Sequence, residues 1–233
     1  IYENRPGNYN LQWEVSKKQN YGIDLQLWSD WSITFDYFIE DRSDILIERN
    51  TVPAISGLTS SQLPRVNMGE IKNKGYEITL DYNTDITRDL NINFGGNFSY
   101  ARNKVISADE AVLSSDYAYR YRETGFSLGQ NWGYIIDHTV DPEHGKDGSG
   151  FFNSKEDVIN SGLTYETGGG IPQPGDFIYK DLNGDHIINE KDMAPIKYSS
   201  LVPRISYGFH IGASYKGFDF SVMFQGVGQY SKY

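Results

Sequence analysis

The feature that most restricts this chain is a strict two-residue alternation of apolar and polar side chains. From Trp31 the odd positions read Trp31, Ile33, Phe35, Tyr37 and Ile39, with Ser32, Thr34, Asp36, Phe38 and Glu40 between them. Successive side chains of a strand point to opposite faces, so this segment has one apolar face and one mainly polar face. The preceding stretch does the same, with Tyr21, Ile23, Leu25 and Leu27 set against Gly22, Asp24 and Gln26. Ser29 and Asp30, beside their tryptophan neighbours, join the two as a tight hairpin.

The pattern returns twice. Tyr76, Ile78, Leu80 and Tyr82 alternate with Glu77, Thr79 and Asp81; after a polar turn at 85–89 come Leu90, Ile92, Phe94, Gly96, Phe98 and Tyr100. The third hairpin runs Ile205, Tyr207, Phe209, Ile211, Ala213, Tyr215, turns at Lys216-Gly217, and returns through Phe218, Phe220, Val222 and Phe224. Met223 is the one exception on its polar face.

A soluble antiparallel sandwich also alternates, but three features favour membrane-crossing strands. The strands run to about ten residues or more, above the usual globular length and right for a tilted bilayer crossing. Aromatics (Trp28, Trp31, Tyr76, Tyr82, Tyr100, Tyr207, Tyr215) close the apolar stripes, where interfacial girdles lie. Three short turns alternate with two long connections, at 42–70 and 101–203. All short turns then fall at one end of the sheet and all long loops at the other, the asymmetry of outer-membrane barrels with long extracellular loops. Compact soluble domains seldom carry a hundred-residue connection. The expected fold class is all-β: an antiparallel transmembrane β-barrel segment of about six strands. Large barrels have about 22, and open edges leave backbone groups unpaired in lipid, so the chain, which starts at Ile1, reads as an internal fragment of a longer barrel.

Composition agrees. There are 18 Tyr, 12 Phe, 4 Trp and 24 Gly, a balance that suits strands and turns. A net charge of −10 argues against a nucleic-acid partner. With no cysteine, disulfides and thiolate metal sites are excluded. No stretch is apolar enough for a transmembrane helix, which needs roughly 18 such residues.

One segment of the second long connection carries candidate metal chemistry. Asp181-Leu182-Asn183-Gly184-Asp185-His186-Ile187-Ile188-Asn189-Glu190-Lys191-Asp192 places Asp181, Asn183, Asp185, Asn189 and Asp192 at positions 1, 3, 5, 9 and 12, with the Ile187 carbonyl at position 7. That spacing wraps a hard cation such as Ca²⁺ in one loop. Position 6 is His186 where Gly is usual, a cost because the chain turns there with positive φ. Position 12 is Asp where a bidentate Glu is usual. The expected role is structural, stapling a loop with little core of its own; a solvated Asx-rich turn is the alternative.

No zinc-type histidine spacing, phosphate cradle, glycosidase dyad or nucleophile context is present, so an enzyme is not expected. Tyr117, Tyr119, Tyr121, Trp132 and Tyr134 could stack on sugar rings or peptide side chains at a surface site, or simply pack the loops together.

Several segments resemble one family. Asn67-Met68-Gly69-Glu70-Ile71-Lys72-Asn73-Lys74-Gly75-Tyr76-Glu77 resembles a signature entering a barrel strand of the SusC/RagA-like TonB-dependent transporters. Phe98 to Val105, Gly129-Gln130-Asn131-Trp132-Gly133-Tyr134, Pro174 to Asp185, and Pro203-Arg204-Ile205-Ser206-Tyr207-Gly208-Phe209 with Tyr215-Lys216-Gly217-Phe218-Asp219 and Phe224-Gln225-Gly226 follow in the family's order. The resemblance implies an outer-membrane importer of oligosaccharides or peptides, partnered by a SusD-like surface lipoprotein and driven by TonB through a plug that this chain does not show. The alternative is a soluble, calcium-stabilised β-sandwich that binds glycans at the cell surface.

Overall fold

The computed structural model describes residues 7–49, 51, 62–110, 113–117, 119, 122–166 and 168–232. In chain order the first strands are β1 (Val15–Leu27), β2 (Trp31–Ile47), β3 (Val66–Thr87) and β4 (Leu90–Ser107). Six two-residue strands follow: β5 (Trp132–Gly133), β6 (Val140–Asp141), β7 (Lys146–Asp147), β8 (Thr164–Tyr165), β9 (Ile187–Ile188) and β10 (Ala194–Pro195). Helix α1 (Lys155–Ser161) lies among them, and β11 (Ile205–Tyr215) and β12 (Phe218–Gly228) end the series. The chain divides into two compact units: Ile1–Ala111, Glu123–Gly129 and Lys197–Tyr233 make one, Val112–Arg122 and Gln130–Ile196 the other.

The first unit is an antiparallel sheet of six strands in the order β1-β2-β3-β4-β11-β12. All three hairpins expected from the alternation are present, and the pairing carries the apolar face straight across them. Leu25 sits opposite Ile33, Ile33 opposite Leu80, Leu80 opposite Gly96, Gly96 opposite Phe209, and Phe209 opposite Phe224. Four residues away, Tyr21, Tyr37, Tyr76 and Tyr100 form an unbroken row. A slip of one residue anywhere would turn a stripe over, so this agreement fixes the register.

Sandwich packing is overturned here. The apolar side chains do not meet across two layers; they lie on one face of a single sheet, with Ile23 58%, Ile211 51% and Phe220 65% exposed. Lipid is the medium in which such a face is stable: β2, β3, β4 and β11 are paired on both sides within the sheet, and the apolar side chains need no water. Stacked rings reinforce the surface, as where Phe209 and Phe224 stand 4.8 Å apart.

The short turns are tight. Trp28 and Ser29 adopt φ of 47° and 63°, and Lys216 and Gly217 45° and 85°, the left-handed pair that matches strand twist in a short hairpin. Gly75 is required for a different reason. A Cβ there would collide with the Tyr100 carbonyl oxygen and lie 2.7 Å from Cζ of Phe38, whose ring covers the position.

The long connections are shorter at their roots than the 42–70 and 101–203 expected. Pairing continues to Ile47 in β2, starts at Val66 in β3 and runs to Ser107 in β4. Alternation marks only the part of a strand with lipid on one side; beyond it both faces are wet, while the backbone ladder carries on. Irregularities appear just there, between Arg42 and Ile45 and between Glu70 and Ile71, with Asp44 at φ 57°. These are bulges that bend strands leaving the membrane.

The second unit corrects the expectation of a loop with little core. Phe152, Val158, Leu163, Tyr165, Ile178 and Ile188 form a buried cluster, with Tyr134 and Tyr179 packed against it. Helix α1 starts in a capping box, Ser154 accepting from the Asp157 N–H and Asp157 from the Ser154 N–H, and ends at Gly162 with φ 64°. Asp137 is nearly buried and takes the Lys146 ammonium at 2.8 Å. Burial alone pushes the Asp137 carboxyl up, but Lys146 together with the hydroxyl and N–H of Thr139 outweighs it and holds the group at about 2.

Two predictions follow from this architecture. In the whole barrel, Ile33→Arg or Phe209→Arg should cost roughly 2–4 kcal/mol, read as a lower denaturant midpoint of the heat-modifiable folded form; unchanged midpoints would reverse the assigned facing. Because the Asp137 carboxyl is depressed below an unfolded value near 3.9, its contribution is complete above about pH 4. It disappears as pH falls through about 2, a loss of about 2–3 kcal/mol. Hydrogen exchange of residues 137–147 between pH 5 and 2 should show it, and Asp137→Asn should remove the pH dependence.

Candidate functional site

The polar face of the sheet is the side that a barrel with an apolar outer band turns to its lumen. Register sets its side chains in rows: Asp24, Thr34, Thr79, Asn97, Gly208 and Gln225 in one, Gly22, Asp36, Glu77, Ser99 and Ser206 in the next. A third holds Gln26, Ser32, Asp81, Gly95, His210 and Met223. Cross-strand hydrogen bonds tie the rows, Thr34 donating to Asp24 at 2.8 Å, Asn20 to Asp36 at 3.1 Å and Ser99 to Glu77 at 3.2 Å.

Glycine has a specific use on this face. The Asp36 carboxylate lies 2.8 Å from where a Cβ of Gly22 would be, and the Asn97 amide oxygen 2.9 Å from that of Gly208. Asp81 and His210 together cover Gly95, and Asn93 covers Gly212. Each glycine lets a long polar neighbour lie flat along the wall, so the surface presents acceptors and donors while keeping a low profile. Alternation did not mark this pairing; the signal was Gly recurring opposite Asp or Asn in the paired register.

At the end of the sheet that carries the long connections, Glu40, Arg42, Asn73, Asn103, Ser127 and Arg204 line a cavity of about 310 Å³. Arg204 donates to the Ser127 hydroxyl at 3.0 Å and stands 5.2 Å from the centre of the Tyr198 ring, a cation–π arrangement that fixes its guanidinium.

In the second unit, the segment 181–192 is wound by Asx turns. Asp181 accepts from the N–H of Gly184 and of His186 at 2.7 and 2.9 Å, Asn183 from Asp185 at 3.1 Å, and Asp185 from Ile187 at 2.8 Å. Asn189 accepts from Lys191 at 2.9 Å. Asp192, fully buried, closes the turn by accepting from Leu182 at 2.8 Å and Asn189 at 3.0 Å. His186 sits at φ 61°, the conformation demanded at position 6. The carbonyls of His186 and Ile188 accept from Thr164 and Glu166, and the Ile187 carbonyl between them points the other way along the pleat.

The chemistry of the set suits a hard cation: carboxylate, amide and backbone oxygens, each with a lone pair beyond its N–H contact. Among the described residues, no group of three or more His, Cys, Asp or Glu side chains converges on a metal position. An ion at Asp181, Asn183, Asp185, Ile187, Asn189 and Asp192 must therefore draw on the amides and the carbonyl as well as the carboxylates. The turn has its own hydrogen bonds and a core behind it, since Ile188 is part of the buried cluster.

The four described aromatic candidates have different surroundings. Tyr117 donates to Glu190 at 2.6 Å, and its neighbour Asp116 pairs with Lys191 at 2.6 Å, so this segment buttresses the 181–192 turn. Tyr119 is 44% exposed, and Tyr121 lies outside the described residues. Trp132 belongs to β5, paired with β10. Tyr134 stacks on Tyr179, ring centres 5.2 Å apart, beside the core. An exposed aromatic pair that the sequence did not single out, Phe151 and Phe177, stands 4.7 Å apart and each ring is 40% exposed.

Comparison with known proteins accounts for this combination of lipid-facing sheet and elaborated loop. The family model described as TonB dependent receptor-like, beta-barrel matches residues 1–232. TonB-dependent receptor P26 of Formosa agariphila is 30% identical over 225 residues, covering 96% of this chain and 21% of that protein. TonB-dependent receptor P3 of the same organism is 27% identical over 228 residues, with 94% and 21% covered. The chain thus spans about a fifth of the length of these curated relatives. Among solved structures, the RagAB peptide transporter superposes with a TM-score of 0.61 at 22% identity, over 94% of this chain and 22% of that one. The RagAB peptide importer in its "open-open" state gives 0.61 at 21% identity, over 96% and 21%. The kinship with TonB-dependent proteins expected from the motifs holds, and the chain belongs to the TonB-dependent receptor β-barrel family of the outer membrane.

Proposed function

We propose that this chain supplies six wall strands and the outer loops of an importer that takes up oligomeric nutrients across the outer membrane. It works with a SusD-like surface lipoprotein and draws energy through TonB. The observation that carries the reading is the two-sided sheet: an apolar face continuous over six strands, backed by a flat wall of Asp, Asn, Ser, Thr and Gly. The family assignment and the solved neighbours, which are named as a peptide transporter and importer, support import over a purely structural barrel. They also favour peptides over glycans as the cargo. The long connections, including the second unit, face outward from the cell, as long barrel loops do.

The test is uptake by cells carrying the full-length protein. Labelled oligopeptides should accumulate, oligosaccharides less so, and collapsing the inner-membrane proton gradient should stop accumulation. Accumulation of oligosaccharides alone would reassign the cargo; no gradient-dependent uptake of either would sink the import reading.

For the turn at 181–192 we propose calcium, held by Asp181, Asn183, Asp185, the Ile187 carbonyl, Asn189 and Asp192. The Asx-turn winding and the positive φ of His186 support it. Titrating calcium into the full-length protein should raise the protease resistance of the second unit, and Asp181→Ala with Asp185→Ala should abolish the gain. Equal resistance with and without calcium in both proteins would refute the ion site.

A further inference from the structure

Beyond the tyrosine row, the outward face of the sheet changes character. Outward positions on β3 and β4 are the even ones, those of Tyr76, Ile78, Phe98 and Tyr100. Continuing along that face toward the long connections, Lys74 stands opposite Arg102 and Ile39, and Ile39 opposite Gln19. One row further, Lys72 stands opposite Lys104 and Asp41, and Asp41 opposite Lys17. Five cations therefore share a patch of four adjacent strands on a chain whose net charge is −10. Asp41 pairs with Lys72 at 3.4 Å, and Glu70 is the next acidic group on that face, at the bulge. Lys17, Lys74, Arg102 and Lys104 are exposed and make no ion pair with a carboxylate among the described residues.

Position gives this patch its meaning. Two residues of a strand advance about 6.6 Å, or about 5 Å along the membrane normal at the usual barrel tilt. Lys74 and Arg102 thus stand about one such step beyond the tyrosine row, and Lys17, Lys72 and Lys104 about two. The headgroup layer is roughly 5–8 Å thick on each side of the hydrocarbon, so both rows reach it with flexible side chains that keep their charge in the polar zone. The lumenal carboxylates lie on the opposite face of the sheet and do not neutralise them.

We propose that this patch binds phosphate groups of the phosphorylated glycolipid in the outer leaflet, fixing a lipid shell against β1–β4. Arg102 offers a bidentate fork and the lysines point charges to phosphate oxygens. The tyrosine row beneath holds the acyl–headgroup boundary in register with them. This rests on the outward direction assigned above to the long connections, which cell-surface biotinylation of Lys155 in the second unit tests separately.

The experiment uses the full-length protein in nanodiscs of phosphatidylcholine containing a tenth of either bis-phosphorylated lipid A or its dephosphorylated counterpart. Native mass spectrometry reads the lipid retained on release. Wild-type protein should retain the phosphorylated form, and K74Q/R102Q/K104Q should retain it roughly tenfold less or weaker. Neither should hold the dephosphorylated form, and millimolar inorganic phosphate should not compete. Equal retention by wild type and variant, or retention indifferent to the lipid's phosphates, overturns the proposal; competition by inorganic phosphate reassigns the patch to a free anion and overturns it too. Should the triple variant not assemble, the wild-type comparison of the two lipids at low and high salt decides the matter by itself.

Discussion

Every backbone N–H and C=O that enters a bilayer must find a partner within the protein, and the rest of this structure depends on that demand. The inner strands β2, β3, β4 and β11 meet it by pairing on both sides, and β1 and β12 on one, with register unbroken through the lipid-facing stretch. Once the ladder is fixed, the side-chain period of two assigns one face to hydrocarbon and the other to water. The apolar stripe, the aromatic row and the carboxylate-bearing wall are then consequences of a single arrangement. Bulges appear only after the strands leave the membrane, where an unpaired group has water to turn to.

The wall was legible in the sequence because alternation has a direct physical cause there. Trp31 to Ile39 and Tyr76 to Tyr82 announced their faces residue by residue, and the structure pairs them as the pattern requires. Strand ends were less legible. Beyond Ile39 and before Tyr76, both faces are solvated, so Asp41, Arg42 and Lys72 carry no period although their backbones still pair. The flat glycine-backed polar wall was hidden for a related reason: it depends on which Asn or Asp of one strand falls opposite which Gly of the next, a relation that exists only once register is known.

The second unit was the least readable part. Its core draws Phe152, Val158, Leu163, Tyr165, Ile178 and Ile188 from scattered positions in a stretch built of two-residue strands and one short helix. No segment is long enough to establish a period. Local signals were nonetheless present: the Ser154 to Asp157 spacing announces a helix start, and Gly162 its end. In the 181–192 turn His186 takes the left-handed conformation that position 6 of such a loop demands, within a winding of Asx turns that either reading of the oxygen spacing allows. The aromatic candidates were chosen by residue type alone, and type does not say whether a ring faces a ligand or a core; Tyr134 and Tyr117 turned toward their own unit.

One topological fact reaches further than the fold description. Strands β4 and β11 are immediate neighbours in the sheet although the whole second unit intervenes between them in sequence. The excursion departs and rejoins at adjoining staves, so its length and content can change without disturbing any wall hydrogen bond. Exchanging this cassette between relatives is therefore sterically cheap for the barrel. Insertions, deletions and substitutions in the second unit can accumulate while the pairing of the six-stranded sheet is inherited intact.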